Sequence, residues 1–200
     1  MLTRRDLFHI VPAGAAACLG CTSAALCAAQ SVAPATSPPP AGGFGEKADM
    51  TWQQVFTFAY QGYARKMKKL AAQIGPEEFL QMLRKASSEA TVEQVSSLLR
   101  LAPNRDLATF ELWMKTQPVQ RNALVYDVVE ESSTTFEIHV SQCLWAKTFR
   151  AQDAADIGYA TICHADFAAT TTFHPKLKLT RTKTLMQGDD CCNHRWVMES

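Results

Sequence analysis

The stretch that decides the fold runs from residue 124 to residue 140 and reads LVYDVVEESSTTFEIHV. Apolar residues occupy alternate positions on both sides of the polar pair Ser132-Ser133. A period of two is typical of strands with one buried face, and a polar pair between two such runs marks a turn. The stretch therefore predicts a β-hairpin. Its alternating apolar positions are Leu124, Tyr126 and Val128 before the turn and Phe136, Ile138 and Val140 after it.

The chain before the hairpin has the three- and four-residue apolar spacing of helices. A long helix is predicted over residues 52–74, because Thr51 and Gln54 are spaced as a capping box and Gly75-Pro76 is a stop signal. The aromatic stripe of this helix is expected in the core, and its lysines are expected on the solvated face. Further helices are predicted from Pro76, near residues 91–101 and near residues 105–116.

The chain after the hairpin returns to helical spacing and then to alternation. Helices followed by a strand-strand-helix-helix-strand-strand order predict an α+β domain, in which helices cover a small antiparallel sheet. The predicted elements are helices over residues 142–151 and 154–169, with Ser141 and Asp153 as N-caps, and strands over Leu177–Leu185 and Cys191–Met198, joined by a turn at Gln187-Gly188-Asp189.

Composition excludes several classes of protein. The chain has 200 residues, of which 47% are hydrophobic and 20% charged, with a formal net charge of +1. These values exclude a disordered acidic tail and a strongly basic protein that binds nucleic acid. Gly-rich phosphate-binding fingerprints are absent from the sequence, so no nucleotide cofactor is expected. The length fits one domain, which we place at residues 49–200.

The N-terminus resembles a bacterial twin-arginine export signal. Arg4-Arg5 stands directly before an Ala-rich apolar run from Ile10 to Leu26, so residues 1–29 are predicted to direct the protein to the periplasm. Removing them deletes two of the 20 basic and one of the 19 acidic residues, which leaves 18 of each. The exported chain is therefore expected to be close to neutral.

The position of cleavage stays open between two sites. Cys27-Ala28-Ala29 offers small residues to an ordinary signal peptidase, whereas Leu19-Gly20-Cys21 resembles a lipoprotein box that would place a lipid on Cys21. The membrane is expected as a partner only through the signal or through this lipid. Residues 30–48 are rich in Pro, Ser and Gly and are predicted to form an unfolded linker.

Residues able to carry chemistry are concentrated in the last third of the chain. On a helix, Cys163 and Asp166 are three residues apart and lie on one face. On the last strand, Cys192 and His194 share a face. We therefore predict a site that is assembled from one helix and the final strand.

The four cysteines after the signal, Cys143, Cys163, Cys191 and Cys192, have two further interpretations. After export they could form disulfides, either 143 with 191 and 163 with 192, or 143 with 192 and 163 with 191. A metal such as zinc could instead be held by Cys163, Cys192 and His194, with Asp166 or Cys143 as a fourth ligand.

The C-terminal block GYATICHADFAATTTFHPKLKLTRTKTLMQGDDCCNHRW, residues 158–196, resembles the family of L-2-amino-thiazoline-4-carboxylic acid hydrolases. The resemblance is close over about residues 120–197 and holds only in outline for the helical half. Two features depart from the family pattern, namely the additional Cys191 and the export signal. The matching elements are Cys143, Cys163-Asp166-Phe167, Phe173-Pro175, Leu179-Arg181-Thr182-Thr184, Gly188, Cys192 and Arg195.

The resemblance implies a hydrolase that acts on a small molecule. Its reaction opens a cyclic amidine-like C–N bond of a 2-amino-thiazoline carboxylate with water and gives an N-carbamoyl amino acid. Cys163 would be the nucleophile or a metal ligand, Asp166 would handle protons, and Cys192 would be the cross-strand partner. Substrate-binding candidates are Arg181, Arg195 and Thr184, with one of the arginines on the carboxylate. The alternative function is a non-catalytic periplasmic protein that binds a metal, or is stabilised by disulfides, and binds a partner.

The export signal makes the first testable prediction. Replacing Arg4 and Arg5 with lysine keeps the charge and removes the paired guanidinium groups that define a twin-arginine signal. We expect the variant to accumulate in the cytoplasm, as measured by cell fractionation and immunoblotting. Export of the variant at the level of the unchanged chain would contradict the prediction.

Overall fold

The computed structural model describes residues 50–101 and 104–200. The predicted signal at residues 1–29, the lipid position at Cys21 and the linker at residues 30–48 all lie outside the described residues. Among the described helices, none is both long enough and apolar enough to cross a membrane.

The first helix, α1, spans Trp52–Ile74 and confirms the predicted caps. The backbone N–H of Thr51 donates to Gln54 Oε1 at 2.8 Å, and the N–H of Gln54 donates to Thr51 Oγ1 at 3.2 Å. The helix ends at Gly75, whose φ of 111° lies in the region that favours glycine. The predicted aromatic stripe is buried, since Phe56 and Tyr60 are 1% and 5% exposed.

The next helices differ in part from the prediction. α2 is a single helix over Pro76–Leu101, so the separate helix predicted near residues 91–101 is wrong. The stretch between the two predicted helices contains polar residues but no Gly or Pro, and nothing in it stops the helix. α3 spans Leu107–Thr116, within the range predicted near residues 105–116, and Asp106 is its N-cap. α4, over Pro118–Ala123, is a short helix that the sequence analysis missed.

The sheet has four strands in the order β1-β2-β4-β3, and every neighbouring pair is antiparallel. The predicted hairpin is confirmed as β1 and β2. β4, the last strand among the described residues, lies between β2 and β3. The strands are β1 (Leu124–Glu131), β2 (Thr135–Cys143), β3 (Leu177–Thr180) and β4 (Cys192–Met198).

β3 is shorter than predicted, because the backbone after Thr180 bonds to a side chain instead of a strand. Asn193 Oδ1 accepts from the backbone N–H groups of Thr182 and Lys183 at 3.0 and 2.7 Å. The strand predicted to continue to Leu185 therefore ends at Thr180. β4 begins at Cys192, one residue later than predicted.

Between β2 and β3 lie three helices and one π-helical segment. The N-cap of the first is Cys143 and not Ser141, which belongs to β2. Asp153 is not an N-cap, because its φ of 48° and its N–H bond to Arg150 O close a turn one residue before the next helix. The elements are α5 (Leu144–Arg150), α6 (Ala155–Gly158), the π-helical segment Tyr159–Cys163 and α7 (Ala165–Phe173).

Two apolar cores hold the α+β domain together. In the first, Phe56 and Tyr60 of α1 contact Trp145 of α5, with ring centroids 5.2 and 6.2 Å apart. In the second, the inner face of the sheet packs on α3 and α7, with Trp196 of β4 beside Phe110 of α3 at 5.2 Å. The π-helical segment lies against α2 and belongs to the first core.

Two buried side chains approach the backbone of α6 closely at Gly158. A Cβ at this position would lie 2.6 Å from Met186 Sδ and 2.7 Å from Phe149 Cγ. Both neighbours are at most 1% exposed, so neither has space to move into. Glycine is required here by the approach of two buried side chains.

We expect Gly158→Ala to lower the free energy of unfolding by roughly 1–3 kcal/mol, the usual cost of overpacking a core. The matched control is Gly62→Ala, at a helical position where a Cβ meets nothing within 4 Å. That change should stabilise the protein by about 0.5–1 kcal/mol, because alanine favours helix. Urea denaturation followed by circular dichroism measures both, and equal stability of the two variants would refute the packing argument.

Candidate active site

The π-helical segment sets the geometry of the site. The N–H of His164 donates to Tyr159 O at 2.8 Å, five residues back, and the N–H of Phe167 donates to His164 O at 3.3 Å. The carbonyl of Cys163 accepts instead from Nη2 of Arg181 at 2.9 Å. Single π-helical turns inside helices are frequent at functional sites, since they release a backbone group for other use.

Arg181 stands at the centre of the site, with its side chain only 1% exposed. Its Nη1 donates to Asp166 Oδ2 at 2.5 Å and lies 3.1 Å from Nε2 of His194. The guanidinium also lies over the rings of Tyr159 and Phe167, 5.7 and 5.2 Å from their centroids. These contacts take the place of the water molecules that would solvate an exposed guanidinium.

Asp166 lies in the first turn of α7, and 40% of its side chain is exposed. Burial among the surrounding groups raises the pKa of its carboxyl, but His194 and Arg181 outweigh that effect and the pKa is lowered. Within the described residues only Oδ2 is engaged by the protein, so Oδ1 is available to a ligand. Asp166 is therefore an ionised carboxylate in which Oδ2 is bound to Arg181 and Oδ1 remains available to a ligand.

His194 lies behind Asp166 on β4, with Nε2 3.5 Å from Asp166 Oδ2. Its ring stacks on Trp196 at 5.4 Å and 11°. Nε2 of His194 thus lies between Arg181 Nη1 and Asp166 Oδ2: without a proton it accepts from the guanidinium, and with a proton it donates to the carboxylate. In the described part of the chain, Nδ1 of His194 and Nε of Arg181 are buried polar atoms without a partner.

Three thiols approach the same region from three elements. Burial is the main cause that raises the pKa of Cys143 to about 12, and Cys192 contributes a smaller part of this increase. Burial and then Asp166 raise the pKa of Cys163 well above its ordinary value, although Arg181 lowers it. Cys192 is also buried, and its sulfur accepts from the N–H of Leu185 at 3.2 Å. All three are thus protonated thiols at neutral pH.

The structure contains neither of the two disulfide pairings, because all four cysteines in the described residues are free. The same residues hold no group of three or more His, Cys, Asp or Glu side chains that could bind a metal ion. The zinc site considered for Cys163, Cys192 and His194 therefore finds no preformed ligand set. His194 is engaged with Arg181 instead.

Two predicted substrate-binding residues lie away from this cluster. Arg195 is on the opposite face of the sheet, where its Nη1 donates to Glu130 and Glu137 at 2.5 and 2.6 Å. Thr184 is buried in the turn before β4, where its hydroxyl bonds to Gln187. The structure thus brings Cys163, Asp166, Arg181, Cys192 and His194 together and leaves Arg195 and Thr184 outside.

The sequence analysis missed one arginine near the site. Arg84 of α2 is half-buried and takes part in none of the ion pairs among the described residues. After burial, Arg84 and then Arg181 lower the pKa of His164, which follows directly on the π-helical segment. Arg84 is about eighty residues from Cys163 in the sequence, and no motif connects it to the C-terminal block.

The whole architecture is matched by one protein family. The profile of the L-2-amino-thiazoline-4-carboxylic acid hydrolases covers residues 53–196. The chain belongs to this family. The match extends from α1 to Trp196, so the family domain contains both cores and the cluster around Arg181. The resemblance that the sequence carries in its C-terminal block is thereby confirmed and extended to the helical half.

Other comparisons add little. No curated protein matches the chain. Among solved structures, trafficking protein particle complex subunit 3 from Naegleria fowleri, covalently bound to palmitic acid, is similar at 11% identity with a TM-score of 0.47. The similarity covers 72% of this chain and 97% of that one.

Proposed function

We propose that this member of the L-2-amino-thiazoline-4-carboxylic acid hydrolase family is an exported hydrolase that opens the ring of a small cyclic amidine. The family assignment supports a hydrolase. The observation that supports the site is the pairing of an enclosed guanidinium, Arg181, with a carboxylate, Asp166, whose side chain stays 40% exposed. A carboxylate fixed in this way can orient a cationic substrate without first having to be ordered itself.

The product determines which bond must break. In the net reaction the oxygen of one water molecule is added to the ring carbon between nitrogen and sulfur, and the ring nitrogen takes up one proton. If the carbon–sulfur bond then breaks, both nitrogens remain on the carbon, the sulfur leaves with the second proton, and an N-carbamoyl thiol results. Cleavage of the carbon–nitrogen bond would leave the carbamoyl group on sulfur. An N-carbamoyl product therefore requires carbon–sulfur cleavage in place of the C–N cleavage inferred from the resemblance.

Asp166 is proposed to bind the protonated amidine group through its free Oδ1. Its lowered pKa keeps the carboxylate ionised, which suits the binding of a cation better than the removal of a proton. Arg181 is a positioning residue in this scheme, because its Nη1 and Nη2 atoms are already bonded to Asp166 and Cys163. The carboxylate of the substrate is assigned to Arg84, the unpaired arginine near His164.

Cys163 is proposed as the nucleophile. Its thiolate would attack the ring carbon and displace the ring sulfur, which takes up a proton and leaves an isothiourea on Cys163. Water would then add to the isothiourea carbon, the Cys163 thiolate would leave, and the N-carbamoyl thiol would be released. Only the thiolate is nucleophilic, and the raised pKa makes it scarce at neutral pH. The scheme therefore predicts a rate that depends on the ionisation of this thiol.

We expect Asp166→Asn to lower kcat/KM for 2-amino-thiazoline-4-carboxylate by about 100-fold, the lower range for loss of a charged group that acts on the reacting centre. The amide keeps the shape of the carboxylate but cannot pair with a cation. The control Asp127→Asn removes a carboxylate from the exposed side of β1 and should leave kcat/KM unchanged. Ring opening is followed by the appearance of free thiol. Equal rates for the two variants would remove Asp166 from the site.

We expect Cys163→Ser to lower kcat by at least about 100-fold, with the thermal transition shifted by a few degrees only. In the unchanged protein kcat should rise with pH through neutrality, by up to about tenfold per unit, because the pKa of Cys163 is raised and more thiolate forms as pH increases. Cys191→Ser is the control, since Cys191 lies outside the cluster. Full activity of the Cys163 variant would assign the attack to water.

A second candidate function, a non-catalytic exported binding protein, is favoured by the same thiols. Cys163 and Cys192 are buried and protonated, as structural cysteines usually are. Under this alternative both site variants would leave the protein folded, and neither they nor the unchanged protein would open a thiazoline ring.

A further inference from the structure

α1 is strongly one-sided in charge. It carries four basic residues, Arg65, Lys66, Lys68 and Lys69, and no acidic residue. The whole chain has 20 basic and 19 acidic residues, so the excess on α1 is balanced elsewhere. A local excess of one sign on a near-neutral protein creates a surface that attracts the opposite charge.

The four cations line a groove of about 590 Å³ together with Gly62 and Gln152. Lys68 Nζ donates to the backbone carbonyl of Gln152 at 2.9 Å and so joins α1 to the other side of the groove. Within the described residues none of the four cations forms an ion pair, although Asp153 and Asp156 follow Gln152 in the chain. The groove therefore keeps its positive charge, and the aliphatic stems of its side chains give it apolar walls.

An exposed aromatic ring extends the same face of α1. Phe58, Gly62, Arg65 and Lys69 follow one another at helical steps of four, three and four residues, so they form one stripe. The side chain of Phe58 is 71% exposed, whereas Phe56 on the opposite face is 1% exposed. Cations beside an exposed aromatic residue are the composition of helices that lie on membrane surfaces.

We propose that the basic face of α1, formed by the groove and Phe58, docks on a bilayer that contains anionic phospholipid. The phosphates would pair with the cations of the groove, and Phe58 would enter the interface between headgroups and acyl chains. In the sequence, α1 begins about 25 residues after the apolar run at residues 10–26, so a membrane that receives this run would hold α1 nearby. The docking does not depend on hydrolysis, and either proposal can fail without the other.

The test compares binding of the full chain to vesicles. We expect it to float with vesicles of equal parts phosphatidylglycerol and phosphatidylcholine, and at least about tenfold less with phosphatidylcholine alone at low salt. The groove variant combines Arg65→Gln, Lys66→Gln and Lys69→Gln and keeps Lys68, which bonds to Gln152. It should lose at least about tenfold in partition to the anionic vesicles, and Phe58→Ser should weaken binding further.

The control variant combines Arg105→Gln, Arg121→Gln and Lys176→Gln, which removes the same charge from exposed positions outside the groove. It should bind within about twofold of the unchanged chain. Equal losses in the two triple variants would reduce the effect to net charge and overturn the proposal. So would unchanged binding of the groove variant, or displacement of the chain from vesicles by soluble glycerol phosphate, which would indicate a site for free phosphate. Because the apolar run is common to all variants, it cancels in each comparison.

Discussion

The burial of the Arg181 guanidinium is the constraint on which the C-terminal half depends. Moving a cation out of water costs several kcal/mol unless its donors are satisfied. The fold meets this cost with a carboxylate from α7, a carbonyl from the π-helical segment, an imidazole from β4 and two aromatic rings. These five partners come from three elements, so one side chain fixes the position of the π-helical segment, α7 and β4 relative to one another.

The π-helical segment and the buried Arg181 depend on each other structurally. A regular α-helix would use the carbonyl of Cys163 in its own ladder, and Arg181 would have no backbone acceptor. The extra residue in the turn releases that carbonyl and places Asp166 at the start of a new helix, where its charge is favourable. The π-helical turn therefore allows the ionised carboxylate of Asp166 to stay partly exposed while it pairs with the buried guanidinium of Arg181.

The sequence predicted the α+β class and the strands with a clear period of two, because burial of one face leaves that pattern directly. The predicted end of β3 was wrong, because a side chain there takes the place of backbone pairing. Thr182 and Lys183 continue the alternation of β3, yet Asn193 takes their N–H groups. Spacing also placed Cys163 and Asp166 on one helix with Cys192 nearby. Arg195 directly follows His194 on β4, so alternation places the two on opposite faces and could have excluded Arg195 from the site. No local pattern in the sequence indicates Arg84 or the π-helical turn.

Because β4 lies inside the sheet, its late synthesis determines when the sheet can form. β2 pairs on one side with β1, which is made just before it, and on the other with β4, which is made about sixty residues later, as in the pair Thr135 and Val197. While the ribosome still covers these residues, β2 presents an unpaired edge and Arg181 has no imidazole partner. Pairing over so many residues is slow. The sheet can therefore close only after β4 has emerged from the ribosome, and until then the open edge of β2 is a site where a nascent chain can aggregate or a chaperone can bind.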